Sequence, residues 1–316
     1  MRPETSLLLR HRERFAGEIY ALGAPGSDLS ALGITRGWNP DAAERAASPF
    51  ALDEGLTVEA HAEVALVYLP KGNARRDHVL DLASRVAPRV VLVGRNDAGV
   101  KSARKVFTAR AEGPVLAEHG NHCQLFVGSL TPRTPRLVEK RFEHEGLTFV
   151  SLPGVFAEGR LDDATRMLLE VLELPAKGRL LDLGCGAGPI GLHAKARVPA
   201  LDVTLVDVDD YAVEAARRGA AAASLDVRVL ASDGYGAVAS ERFDRIVTNP
   251  PFHRGVGTEY EITRAFVRDA PKRLAPGGEL WLVANTFLPW PEVLEETFRD
   301  VQVVARDKRF CVWRAR

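Results

Sequence analysis

The chain has 316 residues, about twice the usual domain length of roughly 150, so two domains are expected. With 46% hydrophobic and 27% charged residues it can bury a sizeable core, which excludes extensive disorder, and its 42 basic and 42 acidic residues cancel, which excludes a whole-surface basic coat for non-specific nucleic-acid binding. Three widely separated cysteines, Cys123, Cys185 and Cys311, exclude a disulfide scaffold and a cysteine-rich zinc site. No apolar stretch reaches signal or membrane-span length. A cytoplasmic monomer without metal or membrane association is expected.

In chain order, the first apolar strand is Val64-Ala-Leu-Val-Tyr-Leu-Pro70, followed by a helix over 77–86, a strand over 90–93, a helix over 100–109 and a strand holding Cys123-Gln-Leu-Phe-Val127. Gly128-Ser-Leu-Thr-Pro-Arg-Thr-Pro135 carries two prolines and no hydrophobic periodicity and reads as a connector, which gives domains at 1–135 and 136–316. From Lys101 to Arg141, eight basic residues (Lys101, Arg104, Lys105, Arg110, Arg133, Arg136, Lys140, Arg141) stand against three acidic ones (Glu112, Glu118, Glu139). That region is either a solvated face with its linker or an RNA-facing patch with Arg133, Arg136 and Arg141 as contacts.

Residues 142–153 then alternate as a hairpin around Gly146, and 161–174 carry helical spacing at Met167, Leu168, Val171 and Leu172. An alternating series follows: strand 179–183, helix from Pro189, strand 203–206, helix 212–223, strands 227–230 and 243–247, helix 261–274, strand 279–284, helix 292–298, and closing strands at 301–305 and 310–314. Such alternation predicts a doubly wound, mostly parallel α/β sheet whose late hairpin turns the last strand antiparallel. Val64–Pro70 stands where Arg245-Ile-Val-Thr-Asn-Pro250 stands, and the Cys123 strand compares with Cys311-Val-Trp313, which suggests duplication. The first copy shows no glycine-rich turn, and its Leu69-Pro-Lys-Gly72 lacks the asparagine of its counterpart.

Leu180-Leu-Asp-Leu-Gly-Cys-Gly-Ala-Gly-Pro-Ile-Gly191 is a strand, a glycine turn and a helix start, with Pro189 suited to the first helical turn. Glycines let a ligand approach backbone and helix N-terminus. Taken alone, the run also satisfies a dinucleotide fingerprint with Asp207 as the ribose acid, so a nicotinamide oxidoreductase stays open at this point. Asp182 ahead of Gly184, Gly186 and Gly188 resembles the motif of class I S-adenosylmethionine-dependent methyltransferases. The resemblance implies that this loop with Cys185 lines the cofactor, that Asp207 and Val208 lie at its ribose, and that Ser232, Asp233 and Gly234 lie at its adenine. Singly, these acids would read as loop residues or helix caps, and for Asp209 the cap reading leads. Cys185 reads as a small buried side chain rather than a reactive thiol.

Thr248-Asn-Pro-Pro-Phe-His253 follows the strand 243–247 and resembles the Asn-Pro-Pro-aromatic motif of enzymes that methylate planar amino groups. An exocyclic amine conjugated to a ring is a poor nucleophile; two fixed acceptors, the Asn249 side-chain oxygen and the Pro250 carbonyl, would hold its N–H groups and stabilise developing positive charge. Pro250 and Pro251 stiffen the turn, and Phe252 offers a stacking face. Asn249 thus counts as both a catalytic and a cofactor-proximal residue. With Val283-Ala-Asn-Thr-Phe-Leu-Pro289, Pro153-Gly-Val-Phe156 and Leu161-Asp162 added, the chain resembles the bacterial ribosomal RNA guanine-N2 methyltransferases, both the type C enzymes that modify 16S RNA and their relative that modifies 23S RNA. That implies two tandem Rossmann-like methyltransferase domains with seven-stranded sheets, the first degenerate and used for substrate recognition or structure. It also implies S-adenosylmethionine as cofactor and 16S ribosomal RNA, free or in the small ribosomal particle, as partner. Phe156 and His253 are candidate substrate contacts, His253 equally a helix cap. A departure is Leu161-Asp-Asp-Ala-Thr165, where the family commonly has a glycine after Leu-Asp. The alternatives are guanine-N2 of 23S RNA, adenine-N6 of DNA or a protein glutamine amide.

Overall fold

The computed structural model describes residues 2–250 and 257–316. The chain divides into two compact units, Met1–Val138 and Glu139–Arg316. The division falls beyond the proline segment because that segment packs on the first unit: Leu130 is buried, Thr131 N donates to the Arg110 carbonyl at 3.0 Å, and Arg133 N donates to Ser84 Oγ at 3.1 Å. One apolar side chain inside a polar run decides where the segment belongs.

The first unit runs α1 (Pro3–Arg10), β1 (Ile19–Leu22), α2 (Leu29–Leu32), β2 (Gly37–Trp38), α3 (Ala42–Ala46), β3 (Val64–Tyr68), α4 (Asn73–Val86), β4 (Arg89–Arg95), α5 (Val100–Arg110), β5 (Leu116–Gly120) and β6 (Cys123–Gly128). Its sheet is ordered β2-β1-β3-β4-β6-β5, with β6 antiparallel to both its neighbours. The second unit opens with a hairpin, β7 (Lys140–His144) and β8 (Leu147–Ser151), turned by Glu145 and Gly146 at positive φ, as a tight two-residue turn requires. It continues α6 (Asp163–Val171), β9 (Gly178–Leu183), α7 (Pro189–Arg197), β10 (Leu201–Asp207), α8 (Asp210–Ala222), β11 (Arg228–Ala231), β12 (Phe243–Thr248), α9 (Gly257–Asp269), β13 (Leu274–Asn285), α10 (Trp290–Thr297), β14 (Val301–Arg306) and β15 (Phe310–Ala315). Here the order is β11-β10-β9-β12-β13-β15-β14, parallel except for β15. Apolar runs such as Leu180, Leu181 and Leu183 are buried on both faces, as helix-covered parallel strands require. No described helix is long and apolar enough to cross a membrane.

The two sheets correspond strand for strand in order, β1 answering β9, β2 answering β10 and β3 answering β12. The first has six strands rather than seven, a single parallel bridge between Trp38 and Asp53 standing where β10 pairs with β11. The likeness extends to hydrogen bonds. Gly23 N donates to the Trp38 carbonyl at 2.8 Å as Gly184 N does to Val206 at 2.9 Å, and Asn39 Oδ1 accepts from Asp41 N at 2.9 Å as Asp207 Oδ1 does from Asp209 N at 3.0 Å. The expectation that the first copy lacks a glycine turn is corrected: Gly23 and Gly26 form one directly after β1, a strand too short to stand out in the pattern. That turn is filled by its own chain. A Cβ on Gly26 would lie 2.2 Å from the Glu44 carbonyl oxygen, and Gly26 N donates to Glu44 Oε2 at 3.0 Å.

Candidate active site

Parallel pairing aligns the carboxyl ends of β11, β10, β9 and β12, with Ala231 beside Asp207, Val206 beside Leu183 and Val247 beside Asp182. The expected residues therefore converge on one edge of the second sheet, as open α/β sheets place their ligand crevices. The turn after β9 is tied to β10: Gly184 N and Cys185 N both donate to the Val206 carbonyl at 2.9 and 3.0 Å, and Gly186 N donates to Asp207 Oδ2 at 2.8 Å. Asp207 also accepts from Asp209 N, so it is both strap and lining. Asp209 caps α8 through Tyr211 N at 3.1 Å, the cap role its sequence suggested.

The glycines divide by task. Gly186, at φ 55°, has no heavy atom of the described residues within 4 Å of a Cβ built on it, so among them open space lies beside it. Gly188 instead faces inward at φ 81°, where a Cβ would approach Leu205 Cδ2 to 2.9 Å and Ala216 Cβ to 3.2 Å. Close helix-to-strand packing gives it a structural reason of its own. Cys185 is buried in the core, and burial together with Asp207 and Asp182 pushes its thiol well above the usual range. It stays a neutral thiol.

Two acids sit at the turn, and among the described residues no cation is paired with either. Asp182 is buried, with Oδ2 accepting from Gly191 N at 2.8 Å and Oδ1 without a hydrogen-bond partner among the described residues. Burial raises it to about 7, against the Gly191 hydrogen bond and helped by Asp207. Asp207 is raised to about 6, chiefly by burial. Such a pair favours a cationic ligand that donates hydrogen bonds and disfavours an anionic pyrophosphate.

On the next strand ends, Ser232 braces its loop by donating to the Gly234 carbonyl at 2.8 Å and accepting from Ala237 N at 3.0 Å, which leaves Asp233 exposed at the rim. Thr248 Oγ donates to the Leu183 carbonyl at 2.7 Å, fixing the backbone just before Asn249. Asn249 and Pro250 are at the site edge, whereas Pro251, Phe252 and His253 lie outside the described residues. Phe156 is 59% exposed on the loop after β8.

Three features were not read from the pattern. Asn249 Nδ2 donates to Asp162 Oδ2 at 3.1 Å and to Thr165 Oγ1 at 2.8 Å. Phe266, on α9, lies against both glycine turns, 3.8 Å from a Cβ on Gly184 and 3.3 Å from one on Gly234. Phe287 is 55% exposed just past the carboxyl end of β13, inside a segment that carried the family resemblance. Away from this edge, His144, Glu145 and His193 bring donor atoms within 4.8 Å of one another, a composition that suits a zinc-like ion. The bond between His144 Nδ1 and His193 Nε2 at 3.0 Å and the bond from Arg197 to Glu145 at 2.9 Å already give them partners.

The expected basic patch splits. Lys101, Arg104, Lys105, Arg133 and Arg136 are exposed on the first unit. Arg110 is paired with Asp81 at 2.8 Å, and on the second unit Lys140 pairs with Glu158 at 3.1 Å and Arg141 with Glu139 at 2.7 Å. Those three contribute less free charge than their count suggests.

Comparison with known proteins agrees with the geometry. Residues 146–314 match the family "Methyltransferase small domain" and residues 5–144 match "Methyltransferase small domain N-terminal". Ribosomal RNA small subunit methyltransferase C of Pseudomonas paraeruginosa is 38% identical, and that of Pseudomonas fluorescens 39% identical, each over 100% of this chain and 99% of the relative. The solved T. thermophilus 16S rRNA N2 G1207 methyltransferase, in complex with AdoMet and guanosine, is 28% identical with a TM-score of 0.86, covering 99% of this chain and 91% of that one. On the strength of both family matches and of relatives alike over their whole length, the chain belongs to the ribosomal RNA small subunit methyltransferase C family of small-domain methyltransferases.

Proposed function

We propose that this enzyme transfers the methyl group of S-adenosylmethionine to the exocyclic N2 of a guanine in 16S ribosomal RNA. The observation that carries this reading is the shared edge that holds two acids, Asp182 one strand and Asp207 two strands away, beside an asparagine whose amide nitrogen already has two partners. S-adenosylmethionine, when bound, supplies a methyl group on a positively charged sulfur. The residues present fit it: among the described residues Asp182 Oδ1 has no partner and none fills the space beside Gly186. Asp182, Gly184, Gly186, Asp207, Val208, Ser232, Asp233 and Gly234 would hold it, the acids through their remaining acceptor positions.

The protein's own contribution is electrostatic and positional. Asn249 Oδ1 and the Pro250 carbonyl accept the two N–H groups of the guanine amine and stabilise the positive charge that grows on nitrogen as it bonds to carbon. Neither is basic enough to keep the released proton, which passes to solvent. The amine must come within about 3 to 3.5 Å of the carbon it attacks, so a paired guanine has to leave its helix first. Exposed Phe156, and Phe252 and His253 in the same motif, are the proposed contacts to the base. Arg133, Arg136 and Arg141 are proposed to hold phosphates, which position RNA without reading its sequence. The first unit then serves substrate recognition, and a cytoplasmic monomer is the proposed working form.

The test is a pair of substitutions. Asn249→Ala should lower kcat by about 10²-fold or more with little change in cofactor affinity. Asp207→Ala should weaken cofactor binding first. Turnover is read on unmethylated 16S RNA, free and assembled, and affinity by calorimetry; loss of thermal stability alone in both variants would reject the site.

A further inference from the structure

Asn249 matters only if its oxygen, not its nitrogen, meets the substrate, and that choice is made by residues far away in the chain. Its Nδ2 carries two N–H groups and has two partners, Asp162 Oδ2 at 3.1 Å and Thr165 Oγ1 at 2.8 Å. A carboxylate oxygen can only accept. Asp162 Oδ2 also accepts from Ala164 N at 2.9 Å and Thr165 N at 3.1 Å, capping α6, so it is held toward that corner by the helix itself. Thr165 is buried, and the Thr248 bond to Leu183 pins the backbone on the other side of Asn249. A flipped amide would put Oδ1 against the Asp162 carboxylate and lose that bond, with only the Thr165 hydroxyl able to donate to it.

We infer that Asp162 and Thr165 are positioning residues for methyl transfer: the N-terminus of α6 consumes the Asn249 amide nitrogen and so presents Oδ1 to the amine. This rests on the proposed role of Asn249. It also gives a reason for the Leu161-Asp-Asp-Ala-Thr165 segment, whose Asp163 turns instead to Arg309 at 3.0 Å. Any substrate group that donates N–H bonds is favoured at Asn249, and one that offers a lone acceptor there is disfavoured.

The test separates positioning from folding. Asp162→Ser keeps a good helix cap but is too short to serve Asn249 as well, and Thr165→Val keeps shape while removing the acceptor. Each should lower kcat about tenfold and the pair about 10²-fold, the scale set by misplacing a reacting group. KM for 16S RNA and the Kd of S-adenosylmethionine should stay within about twofold. Asp162→Asn, which keeps an oxygen in place, should restore most of the activity. Made in an Asn249→Ala background, the same substitutions should change kcat by less than about twofold, since the group they orient is gone. Equal losses in both backgrounds, or wild-type kcat in the folded Asp162→Ser/Thr165→Val double variant, overturn the inference. Wild-type turnover in Asn249→Ala alone overturns the reading of Asn249 and this inference with it. A loss in Asn249→Ala but none in the Asp162/Thr165 double variant overturns the inference only.

Discussion

Alanine at Gly186 and at Gly188 makes the same chemical change two residues apart, yet the geometry predicts opposite phenotypes. Both glycines sit at left-handed φ, 55° and 81°, where a residue with a Cβ pays about 1 to 2 kcal/mol. At Gly186 no atom of the described residues lies within 4 Å of the new methyl, so no overpacking is added. The melting point of the Glu139–Arg316 unit should fall by a few degrees, on the order of 2 to 4 °C per kcal/mol for a unit of that size. At Gly188 the methyl also meets Leu205 at 2.9 Å and Ala216 at 3.2 Å, which adds overpacking of about 1 to 3 kcal/mol. That is a large part of a total stability of roughly 5 to 15 kcal/mol. Cofactor affinity should rank the other way relative to stability. Gly186→Ala places its methyl in the space proposed for S-adenosylmethionine and should weaken binding at least tenfold, about 1.4 kcal/mol, in a protein that still melts cooperatively. Scanning calorimetry and isothermal titration on the full chain measure both. A folded Gly186→Ala that binds the cofactor as tightly as wild type would refute the placement of the ligand against this turn.

Other outcomes follow from charge. Asp182 at about 7 and Asp207 at about 6 are raised above the free carboxylate value, so their contribution is fully present near pH 4 and is lost as pH rises through about 6 to 7. The ligand-free enzyme should therefore lose stability between about pH 4 and 7, and a cationic cofactor should reverse this, so its stabilisation grows with pH. Thermal melts with and without S-adenosylmethionine check it, and a slope left unchanged by Asp182→Asn would reject the assignment. Replacing Arg133 and Arg136 together with Ala should weaken 16S RNA binding and reduce its salt slope by about 2. Adding Arg141→Ala should cost less, because its guanidinium is already held by Glu139, which also bonds Arg218. A binding titration from 50 to 200 mM salt decides, and an unchanged slope removes the patch from the interface.

How far the sequence reached is clearest at particular residues. The glycine turn from Gly184 to Gly188, the Asn249-Pro250 corner, and the helices and strands of the second unit were legible because each is written in contiguous residues: a period, a capping acid, a run of apolar side chains. The same local patterns missed β1 and β2, of four and two residues, and with them the filled turn at Gly26. They also could not place the Gly128–Pro135 segment, whose allegiance depends on where Leu130 finds a hole. What only the tertiary structure decided are the pairings across distance. Asp162 meets Asn249 across 87 residues, the carboxyl of Asp182 is left half-bonded inside the sheet, and Arg141 shares Glu139 with Arg218. Sequence periodicity reports which face of an element is apolar; it carries no term for the neighbour that folding brings against that face. Hydrogen-bond saturation and buried charge are properties of such neighbours, and in this protein they determine which acceptor the asparagine shows.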